Sequence, residues 1–289
     1  MQGWVVICSV GTLRSAAMGL LPRPVAARLR AARLTLLQPT QIDESAIIAA
    51  IASTKNHPAD SVLVDVGAHF GTVTSQFLDL GWSVVAYEPD PANRKQFERL
   101  VGANDRVQLS TAAVSDEPAE SIPLFSSPIS TGVSTLAAFH ESHESAVNVR
   151  VVTLAADLHE RGIKRVEFLK IDVEGFDYLA LKGFDWEAYA PRFVLYEFED
   201  RKTVPLGYSL SDSGLFVAEQ GYHLVYSVWE PIVEYGTRHQ WRGLFTVPPQ
   251  DVGDCWGNVL CFRDAADAHR TLRMFGSRRN RFLHALRSG

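Results

Sequence analysis

The segment from Val62 to Gly71, VLVDVGAHFG, constrains the fold of this chain more than any other. An apolar run of strand type, Val62 to Val66, leads into a turn that contains glycine, and a helical pattern begins at Thr72. A second apolar run, Val84 to Tyr87, ends at Glu88. Strand, glycine turn, helix, strand and acid in this order are typical of a nucleoside-binding βαβ unit, in which the final carboxylate accepts the ribose hydroxyls.

The glycine pattern indicates which nucleoside ligand is bound. His69 stands where a dinucleotide fingerprint has its second glycine, and a side chain there keeps the backbone away from a diphosphate. NAD and FAD are therefore disfavoured. Gly67 and Gly71 still let the backbone pass close to a ligand, and Asp65 places a negative charge beside the turn. Ribose, ammonium and sulfonium groups suit such a site, which favours S-adenosylmethionine (SAM). The alternative is a turn that only joins a strand to a helix.

A second acidic segment is expected at the same edge of the sheet. The strand-like run Val166 to Ile171 is followed by Asp172 and Glu174. In a doubly wound sheet, ligands bind beyond the carboxyl ends of the strands, so these acids should face the same crevice as Glu88. Capping of the next helix is an alternative for Glu174 or Asp177, but it does not explain an acid directly attached to the apolar run.

Five segments resemble the FkbM-type family of SAM-dependent methyltransferases. In chain order they are VDVGAHFGTVT at 64–74, AYEPDP at 86–91, AAVSD at 112–116, STGVSTL at 130–136 and LKIDVEGFDYLALKG at 169–183. They follow the order and spacing of the family, and KIDVEG is the most specific of them. The family often has Asn where this chain has His69, and the C-terminal third of the chain matches less well.

The resemblance implies a class I methyltransferase fold. This is a Rossmann-like α/β fold with a doubly wound, mostly parallel sheet of seven strands, one of them antiparallel. It also implies SAM-dependent transfer of a methyl group, usually to a hydroxyl. With the motifs above, the predicted cofactor-binding residues are Asp65, Gly67, Ala68, His69, Gly71, Glu88, Pro89, Ala113, Val114 and Asp172.

Methyl transfer to a hydroxyl benefits from a base. A hydroxyl is a poor nucleophile near neutral pH, and a positioned base contributes roughly 10²–10⁴-fold to the rate. We predict Asp172 as this base, with Glu174 and Glu197 as the next candidates. The same oxygens are an alternative site for Mg²⁺, although no metal-binding motif supports one.

Two other functions compete with this interpretation. A binding module would retain the cofactor without the chemistry, which the acids Asp65, Glu88, Asp172 and Glu174 argue against. A nicotinamide-dependent oxidoreductase is opposed by the interrupted glycine pattern.

Charge divides the chain into three parts. The net charge is −5, yet residues 1–37 contain five arginines and no acid, and residues 269–289 contain six arginines and no acid. All 33 acidic residues therefore lie between the two ends. We predict a basic N-terminal extension at 1–40, a methyltransferase domain at 41–268 and a basic C-terminal tail at 269–289. The acidic middle would repel a phosphate backbone, which predicts no nucleic-acid partner.

The location in the cell follows from the cysteines and the ends of the chain. Cys8, Cys255 and Cys261 lack the spacing of a zinc site or a disulfide framework, which predicts a cytoplasmic protein. The apolar run from Trp4 to Val10 is too short to span a bilayer. The basic ends are expected to be solvated helices or to contact an anionic membrane surface, which would make the protein membrane-peripheral. Nothing in the sequence indicates the oligomeric state.

The acceptor is the least determined part of the prediction. Five aromatic residues lie in the segment 229–256: Trp229, Tyr235, Trp241, Phe245 and Trp256. Their rings suit either stacking on a sugar or packing around a sheet edge. Together with the resemblance, they predict a glycan or other small-molecule acceptor. The polar segment 117–149 is predicted to be a long loop or a hairpin insertion near the cofactor.

Overall fold

The computed structural model describes residues 42–53, 60–126, 144–232, 239–253 and 255–276. The whole predicted N-terminal extension at 1–40, the STGVSTL segment at 130–136 and the end of the basic tail lie outside these residues. No helix in the described ranges is both long enough and apolar enough to cross a membrane.

Within the described residues, a central sheet of eight strands forms the core, in the order β10-β9-β11-β8-β7-β1-β2-β3. Its strands are β1 (Val62–Val66), β2 (Ser83–Tyr87), β3 (Val107–Ser110), β7 (Phe168–Ile171), β8 (Phe193–Phe198), β9 (His223–Trp229), β10 (Trp241–Phe245) and β11 (Trp256–Phe262). The pairs β3–β2, β2–β1, β1–β7 and β7–β8 are parallel, whereas β11 runs antiparallel to both of its neighbours. The parallel strands β1, β2, β7 and β8 are almost fully buried, which explains their largely apolar sequences, whereas the edge strand β3 is partly exposed.

Helices cover both faces of this sheet. They are α1 (Glu44–Ala52), α2 (Thr72–Asp79), α3 (Pro91–Val101), α4 (Leu154–Glu160), α5 (Asp177–Lys182), α6 (Trp186–Tyr189), α7 (Asp200–Thr203), α8 (Leu210–Glu219) and α9 (Ala265–Thr271). Apolar residues of α1, α2, α3 and α9 form one core cluster, and those of α4, α5 and α8 form the other. The predicted doubly wound, mostly parallel α/β fold is confirmed.

The strand count differs from the seven that the resemblance implies. The additional strand is β10, which lies in the aromatic segment and pairs antiparallel with the outer edge of β9. An open edge would leave backbone N–H and C=O groups without partners, and β10 supplies these partners along β9. Because β10 is antiparallel as well, the sheet has two antiparallel strands at this end where one was predicted.

A second, three-stranded sheet interrupts the alternation of strands and helices. It consists of β4 (Ala113–Val114), β5 (Ala119–Ser126) and β6 (Glu144–Val152), in the order β4-β6-β5. Strands β5 and β6 pair antiparallel, so the described part of the segment 117–149 is the predicted hairpin insertion.

The folded domain continues past the predicted boundary at residue 268. Helix α9 ends at Thr271 and is followed by a π-helical turn, Leu272–Gly276. Thr271 and Phe275 are buried, and Phe275 belongs to the core cluster beside α1. The beginning of the basic segment is therefore part of the domain because its apolar residues complete the core.

Helix α1 is attached to the sheet by a buried carboxylate. Glu44 Oε1 accepts hydrogen bonds from Ser227 Oγ at 2.6 Å and from Trp229 Nε1 at 2.9 Å. Burial raises the pKa of Glu44 from 4.5 to about 6, although both hydrogen bonds act in the opposite direction. A raised folded-state pKa contributes stability below pH 4.5, and this contribution is lost as the pH rises through about 6.

We predict that Glu44→Gln removes this pH dependence, because an amide oxygen accepts the same hydrogen bonds without a charge. Between about pH 4 and about pH 7, the stability of the variant relative to wild type should rise by about 2 kcal/mol. Urea unfolding of both proteins at the two pH values measures this change. The exposed Glu98→Gln serves as the control, and an equal difference at both pH values would contradict the prediction.

Candidate functional site

A cavity of about 310 Å³ lies at the carboxyl ends of β1, β2, β7 and β8. Its walls are formed by Val66, Gly67, Ala68, His69, Phe70, Thr72, Val73, Tyr87, Glu88, Pro89, Asn93, Ala112, Ala113, Val114, Leu124, Lys170, Asp172, Val173, Glu174, Phe176 and Glu197. Leu124 comes from the hairpin insertion, which therefore contributes one wall. The cavity lies where doubly wound sheets bind their ligands.

The glycine turn approaches the end of β7 very closely. Gly67 has φ +73°, and a Cβ atom on it would lie 1.8 Å from the carbonyl oxygen of Asp172. No other residue fits this position, because both the backbone angle and the space require glycine. The backbone N–H groups of Gly67 and Ala68 both donate to the carbonyl oxygen of Tyr87, at the end of β2. The turn is thus held between β2 and β7.

Glu88 is anchored by two backbone amides. Its Oε2 accepts from the N–H of His69 at 2.7 Å, and its Oε1 accepts from the N–H of Asp90 at 2.9 Å. Burial raises the pKa of Glu88, while these hydrogen bonds partly offset the effect. His69 has φ +49°, a left-handed conformation in which Asn and His are more common than most residues. This conformation directs its N–H toward Glu88.

Asp65 occupies a different place from the one the sequence suggested. Its side chain is fully buried below the turn, where Oδ2 accepts a hydrogen bond from Thr74 Oγ1 and Oδ1 lies 3.4 Å from Lys170 Nζ. Asp65 does not line the cavity, and Lys170 offsets its charge. Its role is therefore to support the turn rather than to offer a free carboxylate to a ligand.

Lys170 is a site residue that the sequence analysis missed. Its Nζ donates to the carbonyl oxygen of Gly67 at 2.7 Å and lies 3.5 Å from Asp172 Oδ2. Burial by itself lowers the pKa of Lys170, but attraction to Asp172 and Asp65 outweighs burial and raises it. A lysine inside the apolar run FLKI was the available signal, because a buried lysine requires charged partners.

Three carboxylates meet at the ends of β7 and β8. Carboxylate oxygens of Asp172, Glu174 and Glu197 lie within 4.8 Å of one another, a spacing that also suits a cation. The Asp172 side chain is 44% exposed, whereas those of Glu174 and Glu197 are 14% and 12% exposed. Burial is the main cause that raises the pKa of Glu197 well above its usual range, and repulsion from the neighbouring acids adds to it. Lys202 opposes this shift.

Two further charged residues support this cluster. Asp177 accepts the backbone N–H groups of Gly175 and Glu197, and it is not the side-chain cap of α5. Burial and the charges of Asp172 and Glu174 raise the pKa of Asp177 to about 7. Lys202, in α7, forms ion pairs with Glu174 and Glu197. Sequence analysis missed Lys202 because the short segment DRKT has the composition of an exposed loop.

Most of the predicted cofactor and catalytic residues line the cavity. Those that do are Gly67, Ala68, His69, Glu88, Pro89, Ala113, Val114, Asp172, Glu174 and Glu197. Gly71 does not: it caps α2 with φ +82° and faces Phe97 and Val101 of α3. Its role is in packing the two helices.

The tryptophans of the aromatic segment lie outside the cavity walls. Trp241 is 1% exposed and donates to Ser227 Oγ, and Trp229 stacks on Trp256 with ring centroids 5.4 Å apart. Of the two expectations for these rings, the structure shows packing around the edge of the sheet. Tyr235 lies outside the described residues.

Several solved structures are similar to this chain at low identity. A precorrin-6Y C5,15-methyltransferase from Geobacter metallireducens is 12% identical, with a TM-score of 0.39 over 78% of this chain and 91% of that chain. A TehB-like SAM-dependent methyltransferase from Corynebacterium glutamicum is 12% identical, with a TM-score of 0.39 over 82% of this chain and 98% of that chain. Aeropyrum pernix fibrillarin with bound SAM is 11% identical, with a TM-score of 0.34 over 73% of this chain and 74% of that chain.

These likenesses are too distant to assign a function, and no curated protein matches the chain. The family model of the methyltransferase FkbM domain, in contrast, matches residues 65–224, which is more than half of the chain. The matched region contains the glycine turn, Glu88 and the three carboxylates of the cavity. The chain therefore belongs to the methyltransferase FkbM domain family and is a SAM-dependent methyltransferase.

Proposed function

We propose that the protein methylates a hydroxyl group on a sugar-containing or other small-molecule acceptor. The observation that carries this proposal is one cavity lined both by Glu88 and by the carboxylates of Asp172, Glu174 and Glu197. Glu88 suits the cofactor, and the three carboxylates suit an acceptor that must lose a proton. The reaction is thus an O-methylation in which the chain supplies the base.

The residues of the cavity fit SAM. Both oxygens of Glu88 are anchored by backbone N–H groups and retain lone pairs that can accept ribose hydroxyls. Gly67, at the close contact with the end of β7, is also part of the cavity wall. When bound, SAM supplies a methyl group on a positively charged sulfur, which several nearby carboxylates tolerate.

Asp172 is the proposed base. It is the most exposed of the three clustered carboxylates, and Lys170 Nζ lies 3.5 Å from its Oδ2. With SAM bound, Asp172 would accept the proton of the acceptor hydroxyl, and the acceptor oxygen would take the methyl group that SAM would supply from its methyl–sulfur bond. Orientation of the acceptor contributes to the rate as well, because the attack has to be in line with that bond.

The same carboxylates favour an uncharged acceptor. A cluster of acids at the cavity wall repels phosphate groups, whereas it can accept hydrogen bonds from several hydroxyls of one molecule. A polyhydroxylated acceptor therefore suits the site better than a phosphorylated one or a nucleic acid.

We predict that Glu88→Ala weakens SAM binding by about 10–100-fold, because hydrogen bonds to a charged group are lost. Isothermal titration calorimetry measures the affinity, with Glu98→Ala on the exposed face of α3 as the matched control. Since Glu88 also anchors the turn, Glu88→Gln should lose less SAM affinity than Glu88→Ala. An unchanged affinity in Glu88→Ala would remove the ribose assignment, and saturable NAD binding by wild type would contradict the cofactor assignment.

A second prediction concerns the base. Asp172→Asn should lower the turnover number by about 10²–10⁴-fold and leave the affinity for SAM nearly unchanged, because the amide cannot accept the proton. Transfer of labelled methyl groups to a panel of glycans and small alcohols measures turnover. Asp116→Asn, which lies outside the cavity walls, is the control.

Three outcomes of this assay are informative. A near wild-type rate in Asp172→Asn would make that carboxylate structural and move the search for the base to Glu197. Methylation of phosphorylated but not neutral acceptors would contradict the acceptor class. Methylation of nucleic acid or protein alone would contradict it as well, while leaving the cofactor assignment standing.

A further inference from the structure

Lys202 lies immediately behind the carboxylates of the cavity wall. It follows the end of β8 in α7, and its side chain is 4% exposed. Its Nζ lies 2.5 Å from Glu174 Oε2, 2.6 Å from Glu199 Oε2 and 3.5 Å from Glu197 Oε2. Glu174 and Glu197 line the cavity, whereas Lys202 does not. The ammonium group therefore reaches these two carboxylates from the protein interior.

The neighbouring glutamates stabilise the protonated, positively charged form of Lys202. Burial by itself lowers the pKa of a lysine, but attraction to Glu197, Glu174 and Glu199 outweighs burial and raises the pKa of Lys202 well above its usual value. A buried ammonium group without such partners is strongly unfavourable. Equally, carboxylates so close together repel one another, and the positive charge of Lys202 offsets part of this repulsion. Lys202 and the glutamates thus depend on one another.

A divalent cation at the cluster would compete with Lys202. The oxygens of Asp172, Glu174 and Glu197 lie close enough together to bind a cation. Glu174 Oε2, however, already contacts the ammonium group, and a metal ion on the same carboxylate would lie close to a second positive charge. Repulsion between like charges is large in a poorly hydrated site. Lysine and metal are therefore alternative partners for the same carboxylates.

We propose that Lys202 is a positioning residue that acts as the built-in cation of the carboxylate cluster, so that methyl transfer proceeds without a divalent metal. This inference rests on the proposed function and deepens it. Lys202 orients Glu174 and Glu197 toward the acceptor and offsets part of their charge, which leaves Asp172 to accept the proton. Removal of the ammonium group opens a space, bounded by acids, that a metal ion fills.

Binding of Mn²⁺ to the full chain tests the proposal directly. Lys202→Ala should bind Mn²⁺ at least about tenfold more tightly than wild type, because the carboxylates then lack their resident cation and the space it filled is open to the metal ion. Lys202→Met removes the charge but fills the space, so its affinity should stay close to that of wild type. Lys182→Ala, which removes an ion pair with Asp116 outside the cavity walls, is the matched control. Electron paramagnetic resonance of free Mn²⁺ measures the affinities.

Methyl transfer provides the second measurement. Wild-type activity should be unaffected by a chelator, and both Lys202 variants should lose about 10²-fold in turnover through misplaced carboxylates. Added Mg²⁺ or Mn²⁺ should restore part of the activity of Lys202→Ala and none of that of Lys202→Met. A residue that only stabilised the fold would lower the activity of both variants without rescue by a cation.

The outcomes separate this proposal from the one on which it rests. Tight, stoichiometric Mn²⁺ binding by wild type, or loss of wild-type activity in a chelator, would overturn the role of Lys202. So would a Lys202→Ala variant that binds Mn²⁺ no better than Lys182→Ala. If Lys202→Ala does not fold, wild type and Lys202→Met still test the role of Lys202. Tight Mn²⁺ binding by wild type, or a wild-type turnover number in folded Lys202→Met, would overturn it. If wild type methylates no hydroxyl, the proposed function fails, while the Mn²⁺ titrations still test Lys202.

Discussion

The contact between the ends of β1 and β7 is the constraint on which the site depends. The N–H of Asp172 donates to the carbonyl oxygen of Val66, and the absent side chain of Gly67 lets the Asp172 carbonyl approach the turn. Below this contact, Lys170 donates to the Gly67 carbonyl and balances the charges of Asp65 and Asp172. Without the ammonium group, two carboxylates would repel each other in a site with little water. The glycine turn and the proposed base are therefore positioned by a single junction.

Two buried lysines make the acidic cavity compatible with a stable fold. Lys170 balances the acids at the end of β7, and Lys202 balances the glutamates at and after the end of β8. Lys202 lies on the protein side of its carboxylates, whereas Lys170 is itself part of the cavity wall beside Asp172. The ammonium groups thereby allow several negative charges to lie together at the edge of the sheet. The same balance suits a cationic sulfonium and an uncharged hydroxylated acceptor.

Much of the fold follows from local patterns. The runs VLVDV and FLKI are continuous and apolar because parallel strands are buried on both faces, and Glu88 follows β2 at the predicted position. The boundaries at the other end of the sheet were harder to predict. Strand β10 forms because the outer edge of β9 needs hydrogen-bond partners. The sequence around Trp241 does not show that this edge would otherwise be open, so the local pattern does not predict the strand. Helix α9 continues beyond residue 268 for a similar reason, because Phe275 completes a core that α1 begins.

By itself, the sequence determined the glycine turn, the acid after β2 and the acidic end of β7, because these depend on residues close together in the chain. Only the tertiary structure decided what those acids contact. It placed Asp65 below the turn beside Lys170, away from the cavity, and it brought Lys202 to Glu174 across 28 positions of the chain. Burial and charge pairing arise when separate strands end side by side, and no local pattern encodes that encounter. The motifs therefore indicate the cofactor, whereas the assembled sheet decides which carboxylates are paired with a lysine and which line the cavity.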